Sequence, residues 1–574
     1  MRKSAKYLLF AGNTVLFVAA VLFFCRFYPY HVHYQEQFQL FEFTWRYFVD
    51  VISVPGGAAD WLGRFLTQFF LYSGVGAVVY AALLVLVQVL TFLSCRNRSA
   101  ACCLLSFLPA VALWIFHLDE NALLSADITI ILSLAAFLAL SCIRSESLRR
   151  TCFLIAIPVL YMLLGGLSIV FVGFMAAREK PWVGAAALVL ALVIPFASQF
   201  LFDYNLRSLY IGVHYFRFFR VVPMWAWVAV LMIFITLLAD ETALKSGKAL
   251  PQAIAMAAAA AVMVCAVPMA LKKQADFEKE ELMQYDFLVR FQKWDRIIAA
   301  ADRKTPDKPL SVACLNLALA QKWQLADRMF SYFQNGPDGL LPPFVRDFTS
   351  PLPTAEAFFR LGMVNTAQRY TFEAQESIPD YQKSARCYRR LAETNIINGD
   401  YDVARKYLDA LKHTIFYRQW ASFAEEYLNS GEILEHSREL SEISSLRLRD
   451  HDFLFSDTEM DSMIGMLMVE NGNNMMAIQY LMAYCLLKKD ITRFCECYSM
   501  IDDGRIPSKS YSEALLLAWV GSHSDFEGLP PYLSDDNAQR ITRFIRDYQQ
   551  GVAADRMEEL YGDTYWFYYY YRYQ

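Results

Sequence analysis

The chain has 574 residues, 56% of them hydrophobic and 19% charged, with a net charge of −4. Average soluble domains are less apolar and carry about 25% charged residues, so an ordinary globular protein is excluded. The small negative charge also excludes the global basic field by which proteins attract nucleic acid.

The apolar excess is confined to the first half. Eight segments, at 7–26, 74–95, 100–117, 122–143, 151–176, 183–202, 223–240 and 249–271, approach the roughly 20 apolar residues that a bilayer crossing requires. The basic leader MRKSAK precedes the first of them, but no small-residue cleavage site follows in CRFYPYHVHY, so a retained anchor is expected. A transmembrane domain over 1–271 follows, with a long first outer loop at 27–73.

That loop contains YQEQFQLFEFTWRYF (34–48), too polar for lipid and too aromatic for a solvent loop. Residues 38–53 set Phe38, Phe41, Phe48 and Val51 at helical spacing. Pro55-Gly56-Gly57 breaks the run and 58–72 resumes it, predicting two helices in the interface plane. On an extended segment His31 and His33 share one side, and Glu36 lies close by, but no third metal ligand stands at a known spacing. Glu36 and Glu42 are the candidates for acid–base work outside the membrane. The plainer reading is that they solvate an interfacial helix and bond its ends.

Within the spans, the charge that stands out is Asp127, in ALLSADITIILSL. Ionisable groups in a membrane are costly unless paired, which makes Asp127 a functional candidate as well as a structural hydrogen-bonder. Asn13, Gln88 and Gln199 are predicted to bond between helices. The stretch 204–223, YNLRSLYIGVHYFRFFRVVP, mixes arginine with aromatic rings and is read as interfacial.

Basic residues between the spans favour an inside N-terminus by about two to one, which places both termini and everything beyond 277 in the cytoplasm. The sensitive point is Gly165-Gly166: a break there adds a crossing and moves the polar half to the other side. The twelve cysteines show no CxxC and no Cys/His ligand spacing, so neither a zinc site nor a disulfide framework is expected, and no cofactor.

From 277 onwards the pattern is helical throughout. CYRRLAETNIINGDYDVARKYLDAL (387–411) resembles a tetratricopeptide repeat, with Tyr388, Leu391 and Ala392 on one helix and Gly399, Tyr401, Ala404 and Leu408 leading into and along the next. Small residues at Ala392 and Ala404 let the helices cross closely. Weaker registers pass through Trp294, Trp323, Ala367 and Gly472, which predicts a degenerate α-solenoid over 277–574. The terminal TYWFYYYYRYQ is too aromatic to remain exposed and is predicted to cap the last helices. No HExxH, GxSxG or P-loop occurs. The fold class is therefore all-α: a polytopic bundle of about eight spans followed by helical repeats.

The HYQEQFQLFEFTWRYF…PGGAADWLGRFLTQFF segment, the spans, the repeat half and the terminal TYWFYYYYRY together resemble a family of multi-spanning proteins of Bacteroidota. That resemblance implies the inner membrane of a Gram-negative cell and a periplasmic first loop; it brings no established activity. The expected role is a scaffold or assembly factor that contacts membrane lipid and recruits a protein partner through its repeats. The competing class is a membrane glycosyltransferase using a lipid-linked sugar. Against that class stand its small number of spans and a cytoplasmic solenoid on the wrong side.

Overall fold

The structure is a computed structural model. It describes the chain except residues 1–2, 219, 247–256, 258–260, 263–264, 266, 380–381, 449–458, 502–506, 524–527, 531–532, 534 and 573–574. Among the described residues every regular element is helical, and the sole strand-like pairing is an isolated bridge between Ala122 and Phe216. The chain divides into two compact units, Met1–Glu280 with His413–Ile415, and Glu281–Lys412 with Phe416–Gln574.

Unit 1 contains α1 (Lys3–Leu22), α2 (Pro29–Glu36), α3 (Trp45–Ile52), α4 (Gly57–Thr67), α5 (Ser73–Ser94), α6 (Ala100–Leu105), α7 (Phe107–Phe116), α8 (Ser125–Ser141), α9 (Glu146–Leu164), α10 (Ile169–Arg178), α11 (Pro181–Ser198), α12 (Leu206–Ile211) and α13 (Met224–Ser246). Among the described residues, five helices are long and apolar enough to cross a membrane: Tyr7–Phe27, Ser73–Ser94, Glu146–Leu164, Pro181–Ser198 and Met224–Glu241. Shorter apolar helices cover Ala100–Phe116, Ser125–Ser141 and Gly166–Arg178. Five crossing-length helices are thus shown, and not clearly the eight or so spans expected; most of the segment 249–271 lies outside the described residues. Asn13 donates to Gln88 at 2.8 Å and Gln88 to Ser106 at 2.8 Å, so amides do join α1, α5 and the α6–α7 turn.

The expected fifth span, 151–176, is two helices. Gly165 adopts φ 85° and ψ −161°, a conformation open to glycine, and the chain turns back from α9 into α10. A Cβ on Gly165 would lie 2.7 Å from the Tyr215 hydroxyl and 3.4 Å from Gly56 Cα. Gly165→Ala should therefore cost roughly 2 kcal/mol of backbone strain besides the clash. Thermal unfolding in detergent checks this, and an unchanged midpoint would show that the turn tolerates a side chain.

Hydrogen bonds define two ends of unit 1. At the first, Gly56 N donates to Met162 O at 2.9 Å, Tyr28 Oη to Leu118 O at 3.1 Å, and Arg217 N to Asn121 O at 2.8 Å. At the far end Arg149 meets Glu179 at 2.7 Å, and Asp240 accepts from Arg96 N at 2.8 Å and from Arg178 at 3.1 Å. Residues 276–280 belong to the first-loop end: Asp276 N donates to Tyr28 Oη at 3.0 Å, and His31 Nδ1 lies 2.7 Å from Glu280. Residues up to Glu280 thus lie beside the first loop, whereas 277 onwards was expected opposite it.

In unit 2 successive helices pack on one another: Pro351–Arg360 on Val364–Glu376, then Ala385–Asn398, Tyr401–Lys412 and Arg418–Ser430. Gly399, at φ 84°, makes the turn between the helices of the 387–411 stretch. Leu391, Ala392, Ala404 and Leu408 are buried at that crossing. Tyr388 and Tyr401 are half-buried, and Tyr388 meets the Tyr407 ring edge-on at 5.1 Å.

The C-terminal helix Tyr565–Tyr571 is part of the same core. Tyr565 N donates to the Glu513 carboxylate at 2.7 Å, Trp566 Nε1 to Glu513 O at 2.7 Å, and Tyr568 Oη to Leu487 O at 2.8 Å. Burial pushes the Glu513 carboxyl from its ordinary 4.5 up to about 7, against the opposing hydrogen bond from Tyr565. A raised carboxyl binds a proton in the fold that the unfolded chain has released, so stability falls as pH rises from about 4.5 to 7. Glu513→Gln should flatten melting temperature against pH across that window; an unaltered slope would assign the dependence elsewhere.

Candidate functional site

Pro29 at the first helical position presets the backbone for a helix, and α2 runs from Pro29 to Glu36 instead of continuing extended. His31 and His33 therefore point to different partners. His31 Nδ1 faces Glu280, whose two carboxylate oxygens also accept the Tyr30 and His31 amides at 2.8 and 2.9 Å. The His31 ring stacks on Tyr28, centroids 3.9 Å apart, and its Nε2 lies 3.1 Å from the Tyr28 hydroxyl. His33 Nδ1 lies 3.1 Å from Leu71 O. The anticipated shared face of the two imidazoles is absent, so they converge on no common ligand point.

The stretch that opens the first loop is not laid on a surface. His31, His33, Gln35, Glu36 and Gln37 are all buried, whereas Glu42 is half-buried and Trp45 is 77% exposed. Residues 38–44 are not helical; the interfacial helix expected over 38–53 is reduced to α3, whose Thr44 cap accepts from Tyr47 N.

Asp127 sits in the first turn of α8, fully buried, with its Oδ2 2.7 Å from His117 Nε2. The outer atoms of that pair, Asp127 Oδ1 and His117 Nδ1, are buried without a hydrogen-bond partner. The His117 ring packs against Tyr80 at 4.4 Å, and the Tyr80 hydroxyl donates to Gln35 at 2.9 Å, linking Asp127 to α2. Asp60 and Arg64, one turn apart on α4, pair at 2.5 Å. Sequence reasoning singled out Asp127 but not His117, Asp60 or Arg217, since each acquires its meaning from a partner on another element.

Arg217 is 8% exposed and its guanidinium lies over the Phe38 ring at 4.2 Å. Burial holds its pKa down, to about 10. The cluster thus combines an acid–imidazole pair, buried carboxylates and a buried cation, which suits it to holding a polar group or moving a proton.

At the far end the ligand atoms of Cys95, Cys102 and Asp240 lie within 4.8 Å of one another. Both Asp240 oxygens are already committed: Arg96 N and Arg178 donate to one, and Asn97 N to the other at 2.9 Å. A cation there would face the Arg178 guanidinium, so the arrangement is a clamp on the 95–102 turn.

Fold and site together define an all-helical protein built on membrane-length apolar helices, with a buried polar cluster at one end of its bundle. The chain belongs to a family of unknown function, DUF6057, whose sequence profile matches residues 3–572. No curated protein and no solved structure matches it.

Proposed function

We propose that the chain is an inner-membrane scaffold or assembly factor whose helical-repeat region, 281–574, recruits a protein partner outside the cytoplasm. The supporting observation is the tie of Asp276 and Glu280 to Tyr28 and His31, by which the chain leaves unit 1 at the first-loop end. Basic residues stand at both ends, with Lys3, Lys6, Arg96, Arg98, Arg144, Arg149, Arg150, Arg178, Lys180 and Lys245 at the far end and Arg26, Arg46, Arg64, Arg207, Arg217, Arg220, Lys272, Lys273 and Lys279 at the first-loop end. The far end is taken as cytoplasmic because it carries the basic N-terminal leader MRKSAK. Pairwise packing of short helices with small residues at their crossings supports a repeat array, and such arrays act by binding.

A cysteine at exposed Asp402, probed in intact cells with an impermeant maleimide, tests the side. Labelling above the unsubstituted protein is expected before lysis; labelling that requires lysis would restore the cytoplasmic assignment. Complementation of a deletion strain tests the role: Ala404→Arg should abolish function while Glu36→Gln preserves it.

A second reading is a membrane glycosyltransferase using a lipid-linked sugar. It is favoured by the buried Asp127–His117 pair and its link through Tyr80 to Gln35, the neighbour of Glu36, at the first-loop end. Loss of function in Glu36→Gln or Asp127→Asn, with protein level and insertion intact, would favour this reading over the scaffold.

A further inference from the structure

Among the described residues, the buried Arg217 side chain makes no ion pair and no hydrogen bond. Its Nε is enclosed and unpartnered, and its recorded contacts are the Phe38 ring at 4.2 Å and a backbone bond from its own amide to Asn121 O. The groups that attract it are the Tyr34 hydroxyl first, then the acids Glu120 and Asp119, with Arg64 opposing. Both acids have other partners: Glu120 pairs with Lys279 at 2.9 Å, and Asp119 accepts from Asn121 N at 2.8 Å. Arg64 is held by Asp60. No carboxylate therefore neutralises Arg217.

Enclosing an unpaired guanidinium costs far more than a contact with one aromatic face returns. The Phe38 ring, 4.2 Å from the Arg217 Cζ, offers the group no hydrogen-bond acceptor. The guanidinium's N–H edge, the side that grips planar or tetrahedral oxyanions in pairs, is left available. Tyr80 lies within electrostatic range of both Arg217 and Asp127, so the open edge belongs to the same cluster as the acid–imidazole pair. On the loop that supplies Phe38, the side chains of Phe43, Trp45 and Val49 are exposed, as suits a surface bordering lipid.

We propose that Arg217 and Phe38 form a binding site for a phosphate group at the first-loop end of the bundle. The shared chemistry is a phosphate mono- or diester, carried either by a lipid headgroup or by a soluble compound. The site stands independently of both functional readings above, because it requires neither a protein partner nor turnover.

The test uses the full chain in detergent, with binding followed by native mass spectrometry and thermal shift. One arm titrates inorganic phosphate and pyrophosphate; the other titrates short-chain phosphatidic acid and phosphatidylglycerol below their micellar concentrations. One equivalent should bind saturably. Arg217→Met should weaken binding at least tenfold while leaving the ligand-free melting temperature equal or higher, because an unpaired buried charge is gone. Arg217→Lys, which keeps the charge without the fork, should bind more weakly than wild type and more tightly than Arg217→Met. Saturation in the soluble arm identifies a free phosphate compound, and saturation confined to the lipid arm a headgroup. Binding that is absent from both arms, or equal in wild type, Met and Lys variants, overturns the proposal.

Discussion

Replacing Trp566 with alanine is expected to destabilise the C-terminal unit by about 3–5 kcal/mol. The side chain is fully buried eight residues before the last residue of the chain, and its indole nitrogen donates to Glu513 O at 2.7 Å. Phe544 lies 6.2 Å from the Trp566 ring, while Tyr565 is held 5.1 Å from Phe330, so the helix 565–571 ties the final segment to residues more than two hundred positions earlier. Alanine would leave a cavity between these elements and strand the Glu513 carbonyl. Trp566→Phe keeps most of the volume and should cost about 1 kcal/mol for the lost bond. Urea unfolding of the detergent-solubilised protein, monitored by near-ultraviolet dichroism, measures both. Were the alanine variant as stable as wild type, the aromatic terminus would be an appendage and not core.

Glu356→Ala is expected to have an effect of the same size, about 3–5 kcal/mol, because it removes the buried carboxylate that two buried cations share. Glu356 lies on Pro351–Arg360 and pairs with Arg360 at 2.8 Å and with Arg390. Arg390 also pairs with Glu393 at 3.0 Å and stacks on Phe359 at 3.8 Å, and Arg360 reaches Glu439. One carboxylate thereby joins three helices. Replacement by alanine exposes the repulsion between Arg360 and Arg390, which then have only Glu439 and Glu393 respectively to offset it. Burial raises the Glu356 pKa, but Arg390 and Arg360 outweigh it and hold the carboxyl below its usual range. Its stabilisation is consequently present above the ordinary carboxyl value and lost only in stronger acid. The slope from Glu513 lies at higher pH and has the opposite sign, so the two are separable in one titration. A Glu356→Ala loss of under 1 kcal/mol would place the pair among exposed bridges of little worth.

Several features were legible in the sequence for local reasons. Long apolar runs such as Ser73–Ser94 and Pro181–Ser198 form helices of crossing length, since a run of that length and composition has few other stable conformations near lipid. The spacing of Leu391, Ala392, Ala404 and Leu408 described one helical crossing, and all four are buried there. Asp127 was recognisable because a carboxylate stands out in an apolar run; its partner His117, ten residues away just past the end of α7, was not.

Periodicity and composition report on contacts within a turn or two of one helix, and what they determined here is of that kind: an all-helical chain, an apolar half, a helical polar half and a polar loop between the first two apolar runs. Tertiary structure alone decided the rest. Pro29 turned the HVH segment into a helix and sent its imidazoles apart, and Gly165 divided one apolar run into two helices. Glu280 found His31, 249 positions away, and so set Asp276–Glu280 beside the first loop. Arg217 became a buried cation only because Phe38 folds beneath it. Pairings over such separations depend on where other helices place the partner, and no local spacing encodes that.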